Sequence, residues 1–361
     1  MIGGFELRLR ELTDERAYEA ELAECAGVTG YHRWFFLTTF AAALGLRMRA
    51  FSVESDAGPL GVIPLLFRRR GPVSTVNYLP VSQIGPVLRG EALRRGQADE
   101  MLRTVEPVLR AERAVVTRWA FSQGLDPGAS SLAARGFEVS HQESFVVPGT
   151  ISVADYLKRL APKQRAAVRR GALRGLTVEP STRDEITRFF PARLSSGPRP
   201  GGPRPGGQRP GGQWPSGQRY RGAPGYSLAA ARVLAERLAD DPRMYWRSVR
   251  AADGRTLAVN ASIVDTDRLW GWLLVGEPVP GPSPHVAAYW DAVQWSLGRG
   301  LACDFGGVPS SGIRDFKVAM GGEAELSAVA ERVRPRSYRL VRDLHERLAS
   351  YRGARAADQP A

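Results

Sequence analysis

The chain has 361 residues, enough for two domains of ordinary size with real cores. Its 43% hydrophobic and 24% charged content describes a soluble globular protein, and no apolar run reaches the roughly 18 residues of a membrane helix. A net charge of +13 points to polyanionic partners such as RNA, nucleotides or an anionic membrane face, or to a plain solvated basic surface. Two distant cysteines, Cys25 and Cys303, exclude a disulfide framework, and no histidine or cysteine spacing suggests a metal or a catalytic triad. No cofactor is expected. The N-terminus lacks a signal-peptide core, so a cytoplasmic protein is expected.

In chain order, Phe5 to Leu12 alternates like a strand, and Thr13 to Ala26 reads as a helix capped by Thr13. A second helix opens at Tyr31 and ends at Gly45. Arg47 to Ser55 and Leu60 to Phe67 form a hairpin through Asp56-Ala57-Gly58-Pro59. A strand over Val73 to Leu79, a helix over Ala92 to Ala111, and strands over Ala114 to Phe121 and Phe137 to Val147 complete a first half, residues 1–150.

A second half, residues 151–361, opens with a helix over Val153 to Leu160 and a restart at Pro162. Seven basic residues and no acid lie between Lys158 and Arg174. On a helix, Lys163, Arg170 and Arg174 share one stripe, and Arg165 and Arg169 share another about 140° away. Such a face can track phosphates or simply be solvated. Residues from about 195 to 226 repeat RPGG, too rich in Gly and Pro to pack, and are expected to be a disordered insertion. A helix over Ser227 to Leu238 and strands over Met244 to Ala251, Thr256 to Val264 and Leu269 to Val275 follow. The first two strands are joined through Asp253-Gly254.

Ser283-Pro284 then caps a helix with Val286, Trp290, Val293 and Leu297 on one face. Gly298 and Gly300 stop it. Leu301 to Phe305 is a short strand carrying Asp304, and Gly306-Gly307 lets the chain turn. Ser310-Ser311-Gly312 leads to Arg314 and Lys317, and Arg334 to Leu340 reads as a closing strand. Only three of the 50 basic residues are lysine: Lys158, Lys163 and Lys317. In so arginine-rich a chain, a retained lysine marks a place where a compact ammonium is needed, or chance.

Asp304-Phe305-Gly306-Gly307, Gly312, Phe316-Lys317 and Gly321-Gly322 together resemble the C-terminal half of the Fem-type aminoacyltransferases, FemAB-like proteins within the GNAT N-acyltransferase superfamily. The start at Tyr31 to Trp34, the strand Gly61-Val62-Ile63-Pro64-Leu65, and Tyr78-Leu79-Pro80 with Gly85-Pro86-Val87-Leu88 extend the likeness to the first half. The basic helix resembles the segment that opens the second half of such proteins. There is one departure: where Fem enzymes commonly have an aspartate closing the loop, this chain has Arg89.

The resemblance implies an α/β (α+β) fold of tandem GNAT-like domains, with mixed, mostly antiparallel sheets flanked by helices. It implies an amide-forming aminoacyltransferase, with aminoacyl-tRNA as donor and an amine on a cell-wall precursor or small natural product as acceptor. Lys317 and Asp304 are the expected catalytic residues, Lys317 facing the oxyanion with Asp304 and Arg314 orienting it. Tyr78, Gln83, Gly85, Asn260, Trp272, Tyr289 and Arg314 are expected at the substrate, and Lys163, Arg165, Arg169, Arg170 and Arg174 at RNA phosphates.

Two readings compete. An acyl-CoA-dependent N-acyltransferase would use a glycine-rich turn for the pyrophosphate, yet Gly276 to Ser283 carries Pro278, Pro280 and Pro282, which remove donors. A non-catalytic RNA-binding protein on the same fold is the other.

Overall fold

The computed structural model describes residues 7–56, 58–78, 83–90, 98–122, 128–173, 175–195, 226–277, 279, 283–308 and 310–334. The chain opens with β1 (Arg8–Leu12) and α1 (Glu15–Ala23). The cap of α1 is Asp14 rather than Thr13: its carboxylate accepts the Ala17 N–H at 2.9 Å. A two-residue strand β2 (Cys25–Ala26) precedes a single 3₁₀ turn, Gly30–His32, and α2 (Trp34–Leu44). Gly45 ends α2 in the left-handed region, as its position predicted.

The hairpin β3 (Arg47–Ser55) and β4 (Gly58–Arg70) is followed by β5 (Val73–Val76) and β6 (Val87–Arg89). The helix expected over Ala92 to Ala111 is two: α3 (Ala98–Thr104) and α4 (Glu106–Ala111), broken at Val105 where Pro107 opens the second. Residues 91–97 lie outside the described set. Next come β7 (Ala114–Ala120), α5 (Ala129–Ala134), β8 (Glu138–Val147), α6 (Val153–Arg159) and the basic helix α7 (Pro162–Leu173).

After β9 (Thr177–Pro180), a π-helical turn (Glu185–Phe189) runs into α8 (Phe190–Ser195). The expected disordered insertion falls almost wholly outside the described residues. Its flanks do not: Ser195 ends α8, and Tyr226 is buried against Phe40, ring centroids 6.2 Å apart. Then α9 (Leu228–Leu238), β10 (Met244–Arg250), β11 (Thr256–Val264), β12 (Arg268–Gly276), α10 (Pro284–Leu297) and β13 (Ala302–Gly307) follow closely where the pattern placed them.

Two late elements were not foreseen. Residues Ser311–Ala319 form a helix, α11, capped by Ser310, and Glu323–Val333 form a long strand, β14. The closing strand expected from Arg334 to Leu340 lies, past Arg334, outside the described residues.

The strands build one mixed sheet in the order β1-β3-β4-β5-β7-β14-β8-β13-β12-β11-β10-β9, with β2 and β6 paired at the side of β4. Two pairs are parallel, β5 with β7 and β12 with β13; the others are antiparallel. A last strand inserted between two early ones makes the sheet continuous: β14 pairs with β7 on one side and β8 on the other, and β8 in turn pairs with β13.

One apolar core joins the halves, with Phe36 and Phe40 of α2 packed among Leu234, Trp246, Val259 and Trp270. A second lies under α3, α4 and α5, and a third under α6, α7 and α10. No described helix is long and apolar enough to cross a membrane.

Candidate functional site

The site begins where two parallel strands part. β12 and β13 keep register through Arg268↔Ala302, Leu269↔Cys303 and Trp270↔Asp304, and their pairing stops there. β12 continues beside β11, with Trp272 as the extra residue of a bulge between Ala261 and Ser262. β13 turns away to β8. Parted strands leave backbone polar groups without a ladder, which makes the gap a polar one. Glycine lets the chains come this close: a Cβ on Gly271 would stand 2.4 Å from the Asp304 carbonyl oxygen.

A cavity of about 30 Å³ occupies the gap, lined by Asn260, Ser262, Gly271, Trp272, Tyr289 and Asp304 among others. That is room for the last few atoms of a ligand, not for a whole one. A wider surface groove of about 780 Å³ lies between the π-turn, α8 and α9, but none of its lining residues is buried and its charges, such as Arg183 with Glu236 and Asp240, pair with each other.

Asp304 is 2% exposed. Its Oδ1 accepts the Gly306 N–H at 2.5 Å; its Oδ2 has no hydrogen-bond partner. The nearest cation is the Arg268 guanidinium at 3.6 Å, beyond bonding range, and that group bonds Glu325 at 2.9 Å. Burial pushes the Asp304 carboxyl up to about 6, opposed by the Gly306 N–H, Arg268 and Lys317.

Lys317, on the last turn of α11, is 3% exposed. Its ammonium donates to three carbonyls, Phe305 at 2.5 Å, Gly306 at 2.8 Å and Gly307 at 2.7 Å. Gly306 at φ +74° bends the strand end so that these oxygens converge. Three N–H donors on a compact head match three acceptors, a task a planar guanidinium does not fit. Burial lowers the ammonium to about 8, opposed by Asp304.

The three carbonyls are thus what orients Lys317. Arg314, expected to share that task, bonds Glu143 of β8 instead, at 2.9 and 3.4 Å. Tyr289 packs edge-on to Phe305 and near Phe316, so it sits between the cavity and α11. Asn260 is buried on β11 and shares a 3.3 Å bond with the Ser262 hydroxyl. Trp272 lines the cavity with its indole N–H unpartnered. Asp304, Asn260, Trp272 and Tyr289 therefore share the cavity wall, while Lys317 bonds the turn that follows Asp304.

Tyr78, Gln83 and Gly85 are elsewhere, in the first half. Tyr78 is exposed, and residues 79–82 lie outside the described set. Gln83 is buried, and Gly85 lies against β7, where a Cβ would meet the Ala120 oxygen at 2.1 Å. His32 caps the turn before α2: its Nδ1 accepts from the Thr29 N–H at 3.1 Å, and its Nε2 meets the Gly85 oxygen at 3.2 Å. It is buried, and desolvation lowers it to about 4. Tyr31 ties the two regions, its hydroxyl donating to the Gly271 oxygen at 2.7 Å. That bond spans 240 residues, and no local signal announces it.

The basic run divides in two. Lys158 pairs with Asp155 and Arg159 with Glu323. Lys163, Arg165, Arg169 and Arg170 on α7 have no ion-pair partner among the described residues; Arg174 lies outside them. The N-terminus of α7 adjoins the C-terminal end of α11, where the Ala161 N–H bonds the Ala319 oxygen at 3.0 Å and the Tyr156 hydroxyl bonds the Met320 oxygen at 2.7 Å. Most of the proline-rich segment before α10 falls outside the described residues as well.

The sequence matches no family model, and no curated protein matches it. Solved structures do resemble the fold. FemX superposes with a TM-score of 0.64 at 13% identity, over 88% of this chain and 96% of that one. A tandem GNAT protein from the clavulanic acid biosynthesis pathway gives 0.53 at 12%, over 91% and 98%. The L-PGS of Bacillus licheniformis gives 0.52 at 14%, over 89% and 93%. The chain has a Fem-like, tandem GNAT fold.

Proposed function

We propose that the chain is an amide-forming acyltransferase that takes its acyl group from aminoacyl-tRNA and delivers it to an amine, on a cell-wall precursor or a small natural product, in the cytoplasm. One observation carries this reading: a buried carboxylate with one unpartnered oxygen lines the gap between β12 and β13, and a buried ammonium is bonded to the turn that follows it. The work there is positioning and charge stabilisation. Lys317 supplies the fixed positive charge beside which an oxyanion would develop, while its bonds hold the Phe305–Gly307 turn in place. Asn260, Trp272 and Tyr289 shape the pocket. The unpaired cations of α7, next to the Lys317 helix, suit the phosphates of a tRNA acceptor stem. Residues 1–150 and 151–361 act as two GNAT-like domains, the second carrying the chemistry.

Acyl-CoA as donor is the second reading, favoured by the tandem GNAT fold itself. The deciding experiment offers the protein charged tRNA, RNase-treated charged tRNA and acetyl-CoA with a panel of amines, and follows new amides by mass spectrometry. Product only with intact charged tRNA is expected. Product only with acetyl-CoA would replace the donor, and tight, salt-dependent RNA binding without turnover would leave an RNA-binding protein.

A further inference from the structure

Amide formation needs a group that removes a proton from the attacking nitrogen. Arg89 stands where related loops carry an acid, and His32 is buried with both ring nitrogens engaged. Among the described residues lining the β12/β13 cavity, only Asp304 carries a carboxylate. Its Oδ2 is buried without a hydrogen-bond partner, a costly condition unless a donor arrives from outside the chain. The wall around it includes Tyr289, Trp272 and Phe305, and aromatic faces favour a cation. The cavity is small, which suits a terminal –CH₂–NH₃⁺ and excludes a bulkier head.

Resting on the transferase reading above, we propose that the cavity is the acceptor-amine subsite and that Asp304 is the proton acceptor for the attacking nitrogen. The primary ammonium docks with one N–H toward Oδ2. Asp304 takes that proton, leaving a neutral amine whose lone pair attacks the ester carbonyl carbon. The C–N bond forms and the carbonyl oxygen takes the negative charge. As the C–O bond to the ribose breaks, a second proton from nitrogen passes to the leaving oxygen, giving amide and free hydroxyl. Asp304 then releases its proton to water.

The groups that face Asp304 are few. Arg268 lies at 3.6 Å on β12 and is bonded to Glu325 of β14; Gly306 N–H is at 2.5 Å. Lys317 acts from α11, and the phenols of Tyr31 and Tyr289, with the Cys303 thiol, feel its charge. Burial raises the tyrosines and Cys303, so near neutral pH they stay uncharged; Asp304, near 6, and Lys317, near 8, are the groups that titrate, and the acid limb belongs to Asp304.

Two measurements test this. In the first, without any donor, isotope-labelled methylammonium is titrated into the whole protein and followed by NMR line broadening, with methanol and tetramethylammonium as neutral and bulky controls. Methylammonium should broaden in wild type, with an onset following a group titrating near 6, and should not in Asp304→Asn. Equal behaviour of the two proteins overturns the subsite. In the second, Asp304→Asn is assayed with charged tRNA and either an alkylamine or hydroxylamine, which is neutral at pH 7. The variant should lose about 10²–10⁴-fold in kcat/KM with the alkylamine. With hydroxylamine, which needs no deprotonation before attack, the loss should be much smaller.

A uniform loss with both nucleophiles overturns the proton-acceptor role. Methylammonium binding with no amide from either protein would instead remove the transferase reading and keep the amine site. Should Asp304→Asn fail to fold, the acid limb of the wild-type kcat/KM profile decides: a limb near 6 with the alkylamine, and its absence with methoxyamine, which stays neutral through that range, are required.

Discussion

Among the described residues two parallel-strand junctions occur, and they have opposite fates. Between β5 and β7 the pairing runs from Ser74↔Ala114 to Val76↔Thr117, and the space past it is filled by the chain itself. The Ile84 oxygen accepts the Ala120 N–H at 3.3 Å, Gly85 lies flat on Ala120, and His32 holds Gly85 from behind. Asn77, at φ +53°, seals the neighbouring edge by bonding Leu66 at 2.8 Å and Pro64 at 3.0 Å. Between β12 and β13 no described segment enters, and a cavity remains, lined in part by Asp304, whose Oδ2 has no hydrogen-bond partner. One junction is filled by the chain, the other is left open, and the proposed chemistry falls at the open one.

The largest expected effect comes from Lys317→Met, which fills the same volume with no donor. Three converging carbonyls would be left without partners, a loss of roughly 2–4 kcal/mol in unfolding free energy after the buried charge is also removed. Amide formation should fall by about 10²–10³-fold. Urea denaturation and the charged-tRNA assay read the two effects separately. A folded Lys317→Met protein with full turnover would show that the ammonium only braces the turn.

A matched pair of glycine substitutions separates the junctions. Gly85→Ala drives a Cβ into the Ala120 oxygen, and Gly271→Ala drives one into the Asp304 oxygen. Each should cost roughly 1–3 kcal/mol, read as a lower melting temperature. Only Gly271→Ala should abolish transfer in protein that is still folded. Equal loss of activity in both would mean the filled junction is also part of the site.

Acid should move the two junctions in opposite directions. His32 is lowered from 6.5 to about 4, so the folded state binds fewer protons than the unfolded state between those values. Its contribution is present above pH 6.5 and is lost as pH falls through 4. Asp304 is raised from 3.8 to about 6, so its contribution is present below pH 3.8 and is lost as pH rises through 6. Each effect is on the order of 3 kcal/mol. Lowering pH from about 7 to about 4.5 should therefore weaken amide protection at Ala120 and strengthen it across β12 and β13. Parallel changes at both places, after correction for intrinsic exchange, would contradict this assignment.

The contrast also explains what could be read from sequence. Local rules suffice for α2 with its Gly45 stop, for the Asp253-Gly254 hairpin, and for α10 with its Pro284 start. The DFGG pattern and the retained Lys317 pointed to one half of the candidate site, because turn glycines and a rare lysine leave a local trace. β14 left none: its Ala, Ser and Glu residues have little strand preference, and it is fixed by partners on β7 and β8 far back in the chain. Arg314 looked available because nothing nearby in sequence names Glu143 as its partner. The filling of the first junction by Gln83 to Pro86 is tertiary too, so residues there read equally well as a substrate loop.

The smallest effect on folding should come from α7, and it tests the donor. Lys163, Arg165, Arg169 and Arg170 make no ion pair among the described residues, so replacing all four with Gln breaks none. Stability should change by no more than about 0.5 kcal/mol for each. If those cations face tRNA phosphates, the slope of log affinity against log salt should fall by about 0.7–0.9 for each phosphate that is no longer neutralised. Transfer from charged tRNA should then weaken through KM at physiological salt, while kcat, set at the β12/β13 gap, holds. The quadruple variant also divides the donors: a CoA thioester carries few phosphates, so its use should depend on α7 far less. An unchanged salt slope would leave the basic face solvated and remove the strongest support for tRNA.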